Sequence, residues 1–246
     1  MRLTEHVYLV GGGLLGFGLS NDFDSHVYLI DGGSEMALVD AGAGITIEPI
    51  LRNIAFDGLD PGRLRHILLT HAHADHAGAC RAWRDRLGVD VAASEEAGEY
   101  LRDGDEEKVS LAIARRGGFY PADYVYRACP VAHTLREGDV FRVGNLAVRA
   151  FETPGHCSGM LSYLLDDAGR QVLFTGDTVF HDGKVLICNL WDCNLRQYVK
   201  SIEKLADVPA DVMLPGHLAI SLSDGGRHIR KAFSIMQNLS FPASII

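Results

Sequence analysis

Several things are scarce or missing in this sequence, and each absence narrows the field. There is no C-x-x-C pair. The cysteines, Cys80, Cys129, Cys157, Cys188 and Cys193, are odd in number and scattered. Free thiols in a reducing cytoplasm are therefore expected, not a disulfide framework. No apolar run approaches the roughly 20 residues that cross a bilayer. The first residues, Met1 to His6, show no signal-peptide pattern. No membrane partner and a cytoplasmic location follow as expectations. Positive charge is also short: the formal net charge is −9. Phosphate backbones are bound by clusters of Lys and Arg, so nucleic acid is not expected as a partner, and a small molecule is. Short repeats, low-complexity tracts and a G-x-S-x-G nucleophile elbow are absent as well.

What is present is ordinary globular composition: 246 residues, 47% hydrophobic and 22% charged. That suits a single domain over residues 1–246. The stretch Gly11-Gly12-Gly13-Leu14-Leu15-Gly16 contains G-x-G-x-x-G. A dinucleotide fingerprint requires a helix to open at once. Here Phe17-Gly18-Leu19-Ser20 follows, glycine-rich and without helical period. The segment reads as a loop between two strands near the mouth of a site, with Leu14, Leu15 and Phe17 as candidate apolar contacts.

The informative stretch is Thr70-His71-Ala72-His73-Ala74-Asp75-His76. It places His-x-His-x-Asp-His directly behind the apolar run His66 to Thr70. Imidazole nitrogen and carboxylate oxygen are the ligands that zinc and its neighbours take. A buried strand ending in a loop of such ligands, followed by a helix, is where open α/β sheets present their sites.

Along the chain, strands are expected at His6–Val10, His26–Ile30, Met36–Val39 and Val89–Ala93, then at Val140–Val143, Leu146–Glu152, Leu161–Leu165, Gln171–Phe174 and Asp211–Leu214. Ile47, Ile50, Leu51 and Ile54 make one helical stripe. Helices are also expected at Ala79–Leu87, Asp103–Arg116, Asn194–Ala206 and Asp224–Leu239, with a helix start at Ser94. Residues from about 94 to 130 break the sheet pattern and read as a helical cap inserted over the site. Its aromatics, Phe119, Tyr120, Tyr124 and Tyr126, either line a substrate pocket or pack the insertion onto the domain. Strands then helix occur twice, and each half delivers ligand-type residues at strand ends.

Further motifs follow in order: Asp40 at a strand end, T-P-G-H ending at His156, T-G-D ending at Asp177 and P-G-H ending at His217. Each Pro-Gly pair turns the chain sharply, so the next side chain projects. The ordered set resembles the metallo-β-lactamase superfamily, in its glyoxalase II-like and lactonase-like branches. The resemblance covers the chain apart from the insertion. It implies an α/β fold, a four-layer αββα sandwich holding two divalent ions, zinc first, with iron or manganese as ions that N/O ligands also admit.

By that resemblance His71, His73 and His156 bind one metal, Asp75, His76 and His217 the other, and Asp177 bridges. Asp40 matches an acid that orients a ligand histidine. Cys157 adjoins His156, and its side chain is expected to point away. Asp177 stands where the main β-lactamase branch resembling this chain has cysteine. His73 stands where the flavodiiron branch has glutamate.

The implied activity is hydrolysis of a small ester-like substrate, a thioester or lactone, by a hydroxide shared between the metals. Asp75 is a catalytic candidate as well as a ligand, and His181 is a candidate proton donor at the mouth. Arg227, His228, Arg230 and Lys231 read as a solvated face, with contact to an anionic group as the alternative. Two other readings stand: a mononuclear iron enzyme resembling sulfur dioxygenases, and a non-catalytic metal-binding sensor. The sequence leaves the oligomeric state open, a homodimer included.

Overall fold

The structure, a computed structural model, describes residues 1–245. One six-stranded sheet takes its strands in chain order: β1 (Val7–Gly11), β2 (Val27–Asp31), β3 (Met36–Val39), β4 (Leu64–Leu68), β5 (Asp90–Ala93) and β6 (His133–Thr134). The first two pairs are antiparallel and the remaining three parallel. A second, five-stranded sheet contains β7 (Val140–Val143), β8 (Leu146–Glu152), β9 (Leu161–Asp167), β10 (Arg170–Gly176) and β11 (Val212–Pro215), in the order β11-β10-β9-β8-β7. Only β10 and β11 run parallel there.

Alternation along the strands makes three cores. In β1, Val7 and Leu9 face the second sheet, while Tyr8 and Val10 face helices. In β10 and β11, Val172, Phe174, Val212 and Leu214 point inward, and Leu173 and Met213 point out. Such strands are buried on both faces, so each sheet needs a helical cover. On the first sheet it is α1 (Glu48–Phe56), α3 (Cys80–Leu87) and α4 (Glu95–Asp103), through Ile50, Ile54, Trp83 and Leu101. On the second it is α6 (Leu195–Ala206) and α7 (Gly226–Gln237), through Ile202, Leu205, Ile229 and Ala232. Helix, sheet, sheet, helix is the αββα sandwich, an α/β fold. The single-turn α2 (Ala74–Ala77) and the short α5 (Leu111–Arg116) complete the helices.

The glycine loop does join two antiparallel strands, and no helix opens after it. The expected helix over 103–116 is realised only as α5. Gly104 caps α4 at φ +63°. The Asp105 carboxylate then accepts from the Glu107 and Lys108 amides, and Ser110 turns left-handed at φ +56°. Local side-chain acceptors of this kind compete with helix. No helix among the described residues is long and apolar enough to cross a membrane.

Candidate metal centre

Every expected ligand sits just past a strand end. Asp40 follows β3, and His71 and His73 follow β4. Asp75 and His76 lie on α2. His156 follows β8, Asp177 follows β10, and His217 follows β11. Parallel pairing of β3 with β4 and of β10 with β11 puts these ends on one rim. The local backbone is fitted to it. A Cβ on Gly216 would lie 2.3 Å from Asp177 Oδ1 and 2.6 Å from His76 Cε1, so only glycine lets β11 deliver His217 here. Asp40 adopts φ +62°, a strained conformation for a side-chain-bearing residue.

The rim gathers two groups of donors. His73 Nδ1 lies 3.1 Å from His71 Nε2 and 3.0 Å from His156 Nε2. His217 Nε2 lies 3.1 Å from Asp75 Oδ2 and 3.4 Å from His76 Nε2. Asp177 stands between the groups: its oxygens are 3.4 Å from His217 Nε2, 3.5 Å from His76 Nε2 and 3.8 Å from His156 Nε2. Ligand atoms about 2.0 Å from a tetrahedral zinc stand roughly 3.3 Å apart. The observed separations fit that edge. Asp177 Oδ1, though buried, has no hydrogen-bond partner in the protein, as expected of an atom meant for a cation. Three donor groups tight enough to hold a metal ion emerge: His71, His73, His156 and Cys157; His71, His76 and Asp177; and Asp75, His76 and His217.

The far ring nitrogens are tied down. His76 Nδ1 donates to Asp40 Oδ2 at 2.7 Å, and His156 Nδ1 donates to the Leu186 carbonyl at 3.0 Å. Thr70 Oγ1 lies 3.0 Å from His71 Nδ1 and donates to Asp40 Oδ2 at 2.8 Å. With a proton on each Nδ1, each Nε2 presents a lone pair to the rim. Asp40 thus orients His76 directly and His71 through Thr70.

The charge balance asks for cations. Burial would raise the Asp177 and Asp75 carboxyls, but His217 and His76 overcome it and hold both below the usual carboxylate range. Burial would likewise lower His217. Asp177 and Asp75 outweigh it and raise that ring to about 9. His156 falls to about 4, because burial and then the neighbouring His73 outweigh the attraction of Asp177. The two acids raise His76 and His217 and are lowered by them, and divalent ions would meet the same electrostatic need.

The structure places the remaining candidates as follows. His181 does not line the cavity beside the donors; its ring packs against His228, centroids 4.3 Å apart. Cys157 Sγ comes within 4.8 Å of the first group's nitrogens, closer than the sequence suggested, because the turn after His156 does not follow strand alternation. Burial pushes its thiol well up. The insertion's aromatics divide. Tyr124 and Tyr126 are packing residues, their hydroxyls donating to the Ala43 and Ala72 carbonyls. Phe119 and Tyr120 line the cavity. Of the basic run, Arg227, Arg230 and Lys231 are exposed, and His228 is buried.

Two positions carried no motif signal. Tyr120 hydroxyl accepts from the Asp75 amide at 2.9 Å and donates to Asp75 Oδ1 at 3.0 Å. Tyr198 hydroxyl donates to the Asp177 carbonyl at 2.9 Å and accepts from the Leu186 amide at 3.1 Å. A buried tyrosine needs a partner for its hydroxyl. For Tyr198 that was the only hint the sequence held; Tyr120 was expected at a pocket or in packing, but not as a partner of Asp75.

A family model described as the metallo-beta-lactamase superfamily matches residues 20–217. A hydroxyacylglutathione hydrolase of Chelativorans sp. is 30% identical over 179 residues, 72% of this chain and 55% of that protein. An atrochrysone carboxyl ACP thioesterase of Aspergillus fumigatus is 28% identical over 197 residues, 80% of this chain and 51% of that protein. The chain thus spans about half the length of these relatives. Among solved structures, a metallo-beta-lactamase family protein of Thermus thermophilus superposes with TM-score 0.73 at 24% identity, over 96% of this chain and 81% of that one, a likeness of fold. With the family model covering most of its length, the chain belongs to the metallo-beta-lactamase superfamily.

Proposed function

We propose that this protein is a dinuclear metal-dependent hydrolase of small ester-like substrates, with thioesters ahead of lactones. The observation that carries the reading is Asp177, set between two groups of donors at the floor of one cavity. His71, His73 and His156 would hold one divalent ion and Asp75, His76 and His217 the other, with Asp177 shared. Bound there, zinc supplies Lewis acidity and an activated water.

The chain's own residues supply the rest. Asp75 is held through Oδ1 by Tyr120, which keeps Oδ2 turned to the rim, placed to accept the proton of the attacking water. Asp40 fixes His76 so that the rim keeps its shape as charge develops.

The leaving group decides between ester classes. No described cavity residue is a ready proton donor. His181 is elsewhere, Tyr120 is committed to Asp75, and burial pushes the Cys188 thiol up to about 12. A thiolate, with a conjugate acid near pKa ~8.5, departs without such help; an alkoxide does so much less readily. The names of the two relatives, a hydroxyacylglutathione hydrolase and a thioesterase, agree with that preference.

The test is metal content with activity on a thioester and lactone panel, wild type beside His73→Ala. Two zinc ions per chain and thioester turnover that the variant loses are expected. One iron per chain, or equal rates in the two proteins, would overturn the reading.

A further inference from the structure

The cavity above the donors has a volume of about 430 Å³. That is within the range of pockets which enclose most of a small ligand. Apart from the rim and four residues with polar groups, Ser110, Tyr120, Cys188 and Asn189, its lining is apolar, with Leu15, Ile113, Phe119, Ile187, Leu190 and Ile245 drawn from four separate segments. Three of these remain unusually open: Leu15 at 42%, Ile113 at 44% and Phe119 at 48% exposure. Exposed apolar side chains gathered beside a reactive centre mark a surface that a ligand covers. No lysine or arginine is among the described lining residues. A substrate carboxylate buried against this wall would meet no lysine or arginine, at heavy desolvation cost.

One polar group stands out against this wall. Ser110 lines the cavity, is 5% exposed, and its hydroxyl has no hydrogen-bond partner in the protein. Its backbone is held at φ +56°, a conformation serine adopts at a cost. A buried, unpartnered hydroxyl in a strained position is left for something that enters the cavity.

We propose that this cavity is an acyl-chain seat: the substrate is an uncharged, medium-length acyl thioester whose hydrocarbon chain lies along Ile113, Phe119, Leu190 and Ile245, with a hydroxyl or oxo group on that chain met by Ser110. The proposal rests on the hydrolase reading and sharpens it by fixing which half of the substrate the protein buries. The thiol portion faces solvent, so its identity matters little to recognition. Each added methylene leaves water for an apolar wall, which converts to about two- to fourfold tighter binding until the seat is full.

The test separates binding from turnover. Thioethers of N-acetylcysteamine carrying a 2-oxoalkyl group keep the carbonyl and cannot be hydrolysed. Their affinity for the metal-loaded protein is measured by calorimetry from methyl to heptyl ketone, beside a chain of equal length ending in carboxylate. Affinity is expected to climb about two- to fourfold per methylene, with the carboxylate analogue at least about tenfold weaker than its neutral counterpart. Ile113→Asp lowers the heptyl-to-methyl affinity ratio about tenfold or more, and Ile113→Leu preserves it. Among analogues hydroxylated at successive carbons, one position gains about two- to tenfold, and Ser110→Ala removes that gain.

A flat chain-length series, or a carboxylate analogue that binds as well as the neutral one, overturns the seat. If the series climbs but no thioester is hydrolysed, the seat stands and the hydrolase reading falls. If thioesters of every length are hydrolysed alike and the series is flat, the hydrolase reading stands and the seat falls.

Discussion

On the rim, His71, His76 and His156 each have the nitrogen that faces away from the cavity engaged, by Thr70, Asp40 and the Leu186 carbonyl respectively. Across the cavity, Ile113, Phe119 and Leu190 stand on a six-residue helix and irregular chain. Their ties come from side chains reaching across the insertion, such as the two-pronged Arg115–Glu106 pair at 3.0 Å and Trp191 Nε1 donating to the Lys108 carbonyl at 3.2 Å. The rim is built from strand ends that the sheets already fix. The wall is built from insertions that pack on the outside of the sandwich. Chemistry that needs atoms placed within a few tenths of an ångström sits on the first. Recognition that needs only apolar area of the right shape can sit on the second.

The largest effects should therefore come from the rim. Asp177→Asn keeps the shape and removes the charge shared by both donor groups. We expect metal content per chain to fall and thioester hydrolysis to drop by more than ~100-fold, read by elemental analysis and initial rates. Retention of both metals would show that Asp177 does not hold the pair. Asp40→Asn comes next. The one amide oxygen can still accept from the Thr70 amide, but the amide nitrogen cannot accept from His76 Nδ1, and metal affinity should fall about 10- to 100-fold in a chelator competition.

Tyr120 is where wall and rim touch, and it tests whether the two are separable. Tyr120→Phe removes one hydroxyl and with it both bonds to Asp75. The expected cost is about 1–2 kcal/mol in urea unfolding and about a tenfold fall in kcat, with KM little changed. A change confined to KM would make Tyr120 a part of the substrate wall alone.

Legibility in the sequence divides along the same line. The donors could be read because strand-end ligands occur in compact strings: His71 to His76 in one, and Pro-Gly turns before His156 and His217. The four layers were legible only through the family resemblance, because strands buried on both faces, such as β1 and β11, are continuous apolar runs that do not say which residue faces which layer. Asp40 was legible only through family resemblance; its φ of +62° and its link to Thr70 are invisible in one dimension. The wall was read only in part: Leu15, Phe119 and Tyr120 were expected at the site and do line the cavity, but the backbone that carries them was not legible. The 103–116 segment has helical composition, yet Gly104 and the Asp105 side chain break it. His181 had a suitable position in the sequence but the wrong neighbour in space. Tyr120 and Tyr198 reach their partners across 45 and 21 residues, with no spacing rule to announce them.

The smallest predicted effect concerns the root of the wall. The Asp182 amide donates to His228 Nδ1 at 2.9 Å, and Lys231 Nζ pairs with Asp182 Oδ1 at 2.6 Å. These contacts pin the turn from which residues 184–190 set out. His228 must be neutral at Nδ1 to accept. Burial first, then the neighbouring His181 and Arg227, lower its pKa from 6.5 to about 4. A ring whose folded pKa lies below its unfolded value binds more protons when unfolded. Its contribution is fully present above about pH 6.5 and is lost as pH falls toward about 4. The unfolding free energy measured in urea should therefore fall between pH 7 and pH 5, by on the order of 1 kcal/mol. In His228→Asn the amide oxygen can still accept from Asp182 but does not titrate, so this part of the pH slope should vanish. If the variant keeps the wild-type slope, the acid sensitivity belongs to the rim histidines, and the wall's anchor is no softer than the metal centre it faces.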